Sequence, residues 1–206
     1  QRDEAGVSVG VVDVNLEQGA KLFYSKSQNL NKEMIHLERT RFIQKQDSNL
    51  HYFYSSTGSQ LSRLHTTANL CGTKAHCQMY AVDIGNQKQH GEWLTSVIHQ
   101  APSTSSDLKF KGIYRDKSQG VFNGKIVVDP IAQLSKAKMV HHNILLDENT
   151  QVNSRPQFDI KADDVKCNHG ATVGPLREAE IFYLCSRGIP REEAKSLLCQ
   201  GFIEDL

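Results

Sequence analysis

The chain has 206 residues and a formal net charge of +1, with 38% hydrophobic residues and its lysines and arginines dispersed along the sequence. This composition predicts one sizeable hydrophobic core, alone or with a small appendage, and argues against a nucleic-acid footprint. The longest apolar run, residues 181–185, is far shorter than the roughly 20 residues that a membrane-spanning helix requires, so no membrane span is predicted.

Neither end of the sequence resembles a natural terminus. Residues 1–4 include no initiator Met and no apolar leader, and the last residues stop within a helical pattern. We therefore expect the chain to be a piece of a longer protein.

The five cysteines do not predict a disulfide framework, because their number is odd and their spacing irregular. Free thiols are typical of a reducing compartment, either cytoplasm or plastid stroma. A zinc site built from His65, Cys71, His76 and Cys77 is not favoured, since adjacent residues 76 and 77 of a strand point to opposite faces.

The first 46 residues give mixed signals. Residues 7, 9 and 11 are valines, after which the alternation shifts to residues 12, 14 and 16, and this slip predicts a bulge or corner. Residues 20–25 favour a short strand. Residues 28–46 carry apolar side chains at spacings of three and four, which partly favour a helix, although irregular strands are also compatible.

From residue 51 onward, short β-rich runs alternate with polar turns and no helical crossover pattern separates them. Periodicity alone is compatible with a sandwich, a barrel or a β-solenoid. The predicted strands are residues 51–54, 63–70, 78–83, 95–99, 108–115, 120–128, 139–146 and 157–161.

Two polar motifs within this region do not indicate a separate activity. Gly120 and Gly124 precede a lysine, but their spacing and the following Ile126 do not match a phosphate-binding loop, so any ATP chemistry must come from a partner. His141 and His142 are adjacent, which predicts one inward and one solvated imidazole rather than a ligand pair.

After residue 174 the pattern changes to that of an αα-hairpin. Pro175 suits the first position of a helix, Gly188 suits its left-handed cap, and Pro190 opens a second helix. One face of this second helix carries an apolar stripe, which we predict to contact a partner. The stripe includes Ala194, Leu198 and Phe202.

Cys167 and His169 are separated by one residue, so in a strand both side chains project to the same face. A thiolate and an imidazole on one face are half of a metal site. A small buried cysteine beside a satisfied histidine also explains the local sequence, and spacing alone favours this explanation over a ligand pair.

The same segment carries a family resemblance. The blocks CNHGATVG and FYLCSRGI, together with shorter upstream blocks in the same order, resemble the SufB/SufD family of iron–sulfur cluster assembly proteins, most closely its SufD branch. These blocks occupy residues 99–106, 110–113, 121–126, 143–146, 167–174 and 182–189.

The resemblance implies a right-handed parallel β-helix over residues 1–172 and a C-terminal helical segment, incomplete at its end, over residues 173–206. It implies a non-enzymatic scaffold subunit that pairs with a SufB-like subunit and docks a SufC-like ABC-type ATPase. By the same resemblance, His169 and then Cys167 are the residues that contact a transient, nascent iron–sulfur cluster shared with SufB.

The sequence departs from the family pattern at Asn168, Pro175 and Arg177, which leaves the candidate ligands intact but affects the start of the first hairpin helix. No sequence feature indicates whether a flavin binds. Two other classes are compatible with a β-helix. One is a carbohydrate-active enzyme using Asp159, Asp163 and Asp164, and the other is a purely structural homodimer.

Overall fold

The computed structural model describes residues 5–206, and strands fill most of this range. Each strand has eight to eleven residues. The strands are β1 (Gly6–Leu16), β2 (Lys21–Gln28), β3 (Met34–Gln44), β4 (Asn49–Ser56), β5 (Leu61–Leu70), β6 (His76–Gly85), β7 (His90–His99), β8 (Ser105–Tyr114), β9 (Gln119–Val128), β10 (Lys136–Leu145), β11 (Gln151–Ile160) and β12 (Lys166–Gly174).

The strands form two six-stranded parallel sheets. The odd-numbered strands make sheet A and the even-numbered strands make sheet B, so each pair of consecutive strands forms one coil and stacks on the coil before it. Ile35, for example, pairs with Leu61, and Leu61 pairs with His90 one coil further on. This architecture is a parallel β-helix, and the fold predicted from the resemblance is confirmed.

The corner that leads from sheet A to sheet B is built from left-handed turn residues stacked coil upon coil. Their backbone φ angles lie between 56° and 70° although only the first is glycine. Each donates its amide N–H to a carbonyl of the next coil, as Leu134 does to Asp164 over 2.6 Å. The five residues of this corner are Gly19, Asp47, Lys74, Ser103 and Leu134.

The hydrophobic core is the column of side chains between the two sheets. Alternate residues of every central strand point into it, as the period of two requires, and each large apolar side chain buried there stabilises the fold by about 1.5–3 kcal/mol. Its largest fully buried members include Phe42, Leu50, Leu70, Met79, Leu108, Phe122, Ile126 and Met139.

The bulge predicted in the first strand is wrong. β1 pairs with β3 without interruption, and Val7, Val9 and Val11 point outward with 62%, 71% and 69% of their surface exposed. The inward positions are the alternate residues that include Ser8, Val12 and Val14. A Cβ on Gly10, also inward, would lie 3.3 Å from the Glu38 carboxylate. The two valine series therefore lie on opposite faces of one continuous strand, with residues 7, 9 and 11 outside and residues 12 and 14 inside. The interior is polar only in the part of the strand that faces Glu38.

The helix considered for residues 28–46 is also wrong, because β3 occupies most of this segment. His36, Glu38 and Thr40 point inward from it and bond to one another: the Thr40 hydroxyl donates to Glu38 over 2.9 Å, and His36 Nε2 lies 3.4 Å from the carboxylate. Buried polar residues at every second position replaced the apolar alternation that identifies a strand in sequence.

Two helices follow the last strand, α1 (Glu178–Ser186) and α2 (Arg191–Glu204). The first begins after Arg177, so the expectation that Pro175 opens it is wrong. The predicted left-handed cap is confirmed: Gly188 has φ of 87°, and Ile189 donates its N–H to the Leu184 carbonyl over 3.3 Å. Neither helix of the described residues, 5–206, is long and apolar enough to cross a membrane.

Candidate functional site

The final strand of sheet B places the two candidate ligands at an open end of the solenoid. β12 pairs with β10 on one side, and in residues 5–206 no strand pairs with its other edge. Cys167 stands beside Ala137 and His169 beside Met139, both of which are buried interior residues. The two ligand candidates therefore share the inward face of the terminal strand, as their spacing predicts.

The surroundings of these two side chains differ. Cys167 is half-buried against the hydrophobic core, and burial raises the pKa of its thiol, an effect that a hydrogen bond involving the Ala137 backbone opposes. His169 is exposed, and its ring centroid lies 5.0 Å from that of Phe158. A metal bound here would have to displace a thiol proton, which makes its affinity pH-dependent.

Within residues 5–206, Cys167 and His169 are not joined by a third metal-ligating side chain. No group of three or more His, Cys, Asp or Glu side chains in that range is arranged to hold a metal ion. Cys77 is fully buried inside the solenoid, where burial raises its pKa, and Cys185 and Cys199 belong to the helices. Cys71 is exposed, and its thiol donates to Gln100 over 3.2 Å.

His141 and His142 point to opposite faces of β10, as predicted. His141 lies inside, its ring centroid 4.3 Å from that of Phe122 and its Nδ1 atom 2.8 Å from the Ser154 hydroxyl. Burial lowers its pKa to about 3, so this imidazole is neutral at physiological pH. His142 lies on the outer face beside Thr172, and burial lowers its pKa too.

The stripe predicted on α2 is partly covered within the chain. Ala194 is fully buried, and Leu198 and Phe202 are half-buried. Lys111 of β8 approaches this helix from the outer face of sheet B, where its Nζ atom donates to the Phe202 carbonyl and lies 4.9 Å from the Phe202 ring centre. Sequence analysis did not anticipate this contact, since a lysine inside a strand pattern normally indicates a solvated position.

Other apolar side chains of the hairpin remain uncovered. Phe182 and Tyr183 of α1 have 73% and 57% of their surface exposed, and Leu197 of α2 has 43% exposed. The prediction that the hairpin offers a partner surface named neither Phe182 nor Tyr183. The signal was available in the sequence, because at helical spacing residues 182 and 183 lie off the face that carries the buried Ile181.

The carboxylates considered for a glycosidic reaction have other surroundings. Asp159 lies near two ammonium groups, those of Lys125 at 3.9 Å and Lys161 at 3.7 Å. Asp164 lines a groove that contains neither Asp159 nor Asp163. No observation favours the acid–base pair that such an enzyme needs.

The fold is a parallel β-solenoid whose open end presents one thiol and one imidazole. Sequence comparison assigns the family. The model described as SUF system FeS cluster assembly, SufBD core domain, matches residues 1–202, so the chain belongs to the SufBD family.

The curated relatives include both named branches of this family. The chain is similar to an iron–sulfur cluster assembly SufBD family protein of Synechocystis, with 29% identity over 95% of the chain and 43% of the relative. It is 29% identical to SufD of Escherichia coli over 94% of the chain and 46% of that protein, and 25% identical to SufB of Bacillus subtilis over 94% and 42%. The chain thus spans less than half the length of these relatives.

Proposed function

We propose that the chain is a non-enzymatic scaffold subunit of the SUF system, closest in role to SufD, which pairs with a SufB-like subunit. Membership of the SufBD family supports the assignment to iron–sulfur cluster assembly. The identity of 29% to SufD of Escherichia coli, against 25% to SufB of Bacillus subtilis, supports the choice of branch. Free cysteines are compatible with a reducing compartment, either cytoplasm or plastid stroma.

One observation carries the proposal: the Cys167 and His169 side chains share the inner face of the terminal strand, whose outer edge is open. Stable iron–sulfur clusters are generally held by four protein ligands. Two ligands at a subunit surface therefore need a partner to complete the site. A SufB-like subunit that covers the end of the solenoid would supply the rest, with His169 as the principal contact and Cys167 as the second.

The helical hairpin is the proposed docking site of a SufC-like ABC-type ATPase. Its exposed apolar side chains, Phe182, Tyr183 and Leu197, would be covered by that partner. Leu198 and Phe202 would support the same surface from beneath, since both are half-buried and the second contacts Lys111. Ala194 contributes only packing, because no part of its surface is exposed.

Anaerobic reconstitution with iron and sulfide tests the proposed site. We expect the chain alone to yield no chelator-resistant cluster, and its mixture with a SufB-like subunit and the ATPase to yield one that depends on His169. A chelator-resistant cluster at one per isolated chain, retained in Cys167→Ser and His169→Ala variants, would place the ligands elsewhere and contradict the interface model. Size-exclusion chromatography of the isolated chain reports whether it forms a homodimer instead.

A further inference from the structure

The outer face of sheet B gathers lysines that lie far apart in the sequence. Lys136 and Lys166 are direct neighbours in the register of β10 and β12, Lys138 follows two residues later on the same face, and Lys109 lies on β8 beside Val140. Lys136, Lys138 and Lys166 are exposed. We call these four residues the basic face.

The described part of the chain neutralises the basic face only in part, because one carboxylate, that of Asp107, lies directly opposite Lys138 in the register of β8 and β10. Like charges placed directly opposite one another on neighbouring strands destabilise a sheet, so the pairing of Lys136 with Lys166 brings the fold no benefit. Within residues 5–206, the lysines that form ion pairs all lie outside the basic face. They are Lys26, Lys111, Lys125, Lys161 and Lys195.

A groove of about 550 Å³ runs along this face. Lys136, Lys138 and Lys166 line it together with His76, and it reaches Cys167 at the terminal strand. Its carboxylate is Asp107, whose Oδ2 atom accepts a hydrogen bond from Tyr80 over 3.2 Å while its buried Oδ1 atom has no partner.

A second groove of about 560 Å³ adjoins the first and shares Lys136 and Lys166 with it. Its carboxylate is Asp164. Across both grooves the basic face therefore keeps a surplus of positive charge, although the whole chain carries only +1.

We infer that the basic face binds an acidic segment of another polypeptide, laid across β8, β10 and β12 beside the open end of the solenoid. Charge complementarity selects the partner and speeds its association. The inference does not depend on cluster assembly, because it rests on the lysines and the grooves alone.

The spread of the lysines favours a polypeptide over a phosphate group. Lys109 lies four positions further along the sheet than Lys136, a separation of about 13 Å at the rise of a strand. One phosphate cannot contact both ends. The basic face contains no arginine, the side chain best suited to planar, bidentate recognition of phosphate.

A nucleic acid is also disfavoured by the aromatic content of this face. Single strands bind through bases that stack on exposed aromatic rings. The ring of Tyr80 is instead covered by the Lys109 ammonium group, 5.0 Å from its centre. Carboxylates spaced along a peptide match the spread of single ammonium charges better.

The test is fluorescence anisotropy of a fluorescein-labelled oligoglutamate peptide titrated with the full chain. A Lys136→Glu, Lys138→Glu, Lys166→Glu triple variant should bind at least about tenfold more weakly. The matched control changes three exposed turn lysines to glutamate and alters the net charge equally, with an expected loss of less than about twofold. The control positions are Lys32, Lys88 and Lys117.

A milder variant, Lys138→Gln with Lys166→Gln, keeps the test decisive if the charge reversals impair folding, and it should also weaken binding. Equal losses in the basic-face and control variants would reduce the effect to net charge and overturn the inference. So would the absence of binding by the wild-type chain at low salt, or tighter binding of an oligothymidylate of equal charge.

Discussion

The ammonium group of Lys111 donates a hydrogen bond to the backbone carbonyl oxygen of Phe202 over 2.6 Å. The same group lies 3.3 Å from the Asp205 carboxylate. Lys111 is 6% exposed, so the end of α2 covers a cation that the outer face of sheet B would otherwise present to water. The end of α2 is thus attached to the solenoid by a charged contact.

Replacing Lys111 with methionine should loosen α2 without unfolding the solenoid. A hydrogen bond from a charged donor contributes about 1.5–3 kcal/mol, although methionine recovers part of this through packing. We expect limited proteolysis to cleave residues 191–204 faster, while the far-UV signal of the strands is unchanged. Lys109→Met is the control, because Lys109 contacts Tyr80 rather than the helix. If both variants resisted proteolysis equally well, the contact of Lys111 with α2 would be dispensable.

His169→Ala should spare folding and SufB pairing but reduce cluster formation by the assembled complex. The residue is exposed, so its loss leaves no buried cavity. His142→Ala is the matched comparison on the neighbouring strand and should have a smaller effect, since its imidazole lies on the outer face. Iron and sulfide content per complex measures the outcome. Equal losses from both substitutions would favour a structural role.

Charged substitutions on the exposed part of the hairpin should weaken ATPase docking. Phe182→Asp combined with Leu197→Asp should lower the affinity for a SufC-like subunit at least about tenfold, because each aspartate would be buried without a partner in the complex. Isothermal titration gives the affinity. Unchanged affinity would exclude these residues from the docking surface.

The half-buried pair needs a separate measurement. Leu198→Asp combined with Phe202→Asp should weaken ATPase binding too, but it should also raise the protease sensitivity of α2, since Phe202 lies against Lys111. Binding loss with normal protection of the helix would indicate that these two side chains contact the ATPase directly.

The interior imidazole of His99 should make the fold sensitive to acid. It is enclosed between the Thr104 and Ser106 hydroxyl groups at 2.8 and 2.9 Å, and burial lowers its pKa from 6.5 to about 4. Between these two pKa values, the His99 imidazole is therefore protonated in the unfolded chain and neutral in the folded chain. The contribution of His99 to the free energy of unfolding is fully present above pH 6.5. It declines as the pH falls towards 4, by up to about 1.4 kcal/mol per pH unit.

The buried Asp83 opposes this trend. Burial raises its pKa from 3.8 to about 6, against hydrogen bonds from Tyr114 and Ser56, so protonation of Asp83 favours the folded state as the pH falls through 6. The contribution of His99 is best isolated by comparing the pH dependence of stability in a variant with that in the wild type. Urea unfolding of His99→Gln should show a flatter dependence on pH than the wild type, whereas the exposed His65→Gln should not. If the free energy of unfolding varied with pH identically in the wild type and both variants, His99 would not be the group responsible.

Leu134→Asn should stabilise the chain. Leu134 has φ of 63° and 60% of its surface exposed, so it bears the cost of a left-handed conformation and gains little burial. Asparagine tolerates this conformation, and we expect a gain of about 1 kcal/mol in the free energy of unfolding. The control is Ile131→Asn, an exposed neighbour that is not among the left-handed residues. If both variants gained the same free energy of unfolding, the removal of an exposed apolar side chain would be sufficient to explain the stabilisation.

The sequence predicted most strands of the solenoid because its central coils alternate apolar and polar residues. The parallel stacking came from the resemblance, since alternation does not distinguish a solenoid from a sandwich. The first coils were misjudged where Glu38 and its neighbours make part of the interior polar and where Val7, Val9 and Val11 face solvent. The corner positions escaped detection because Lys74 and Leu134 adopt a conformation that sequence analysis assigns to glycine.

The site itself was half predictable. The spacing of Cys167 and His169 placed both on one face, but only the coil count places that face at the end of the stack. The basic face could not have been found from the sequence, where Lys109 and Lys166 are far apart. Their proximity follows from the coil-to-coil register, which no local pattern encodes.

The stacking of one coil on the next makes cooperativity nearly one-dimensional. A strand in the middle of the column is held from two sides, whereas among the described residues β12 is held by β10 alone within its sheet. Local opening therefore costs least at the two extremities, and protection against amide exchange should rise from them towards the central coils. Cys167 and His169 lie in the coil that can fray while the remainder stays folded. Side chains in such a place can rearrange without any cost to the stability of the column behind them.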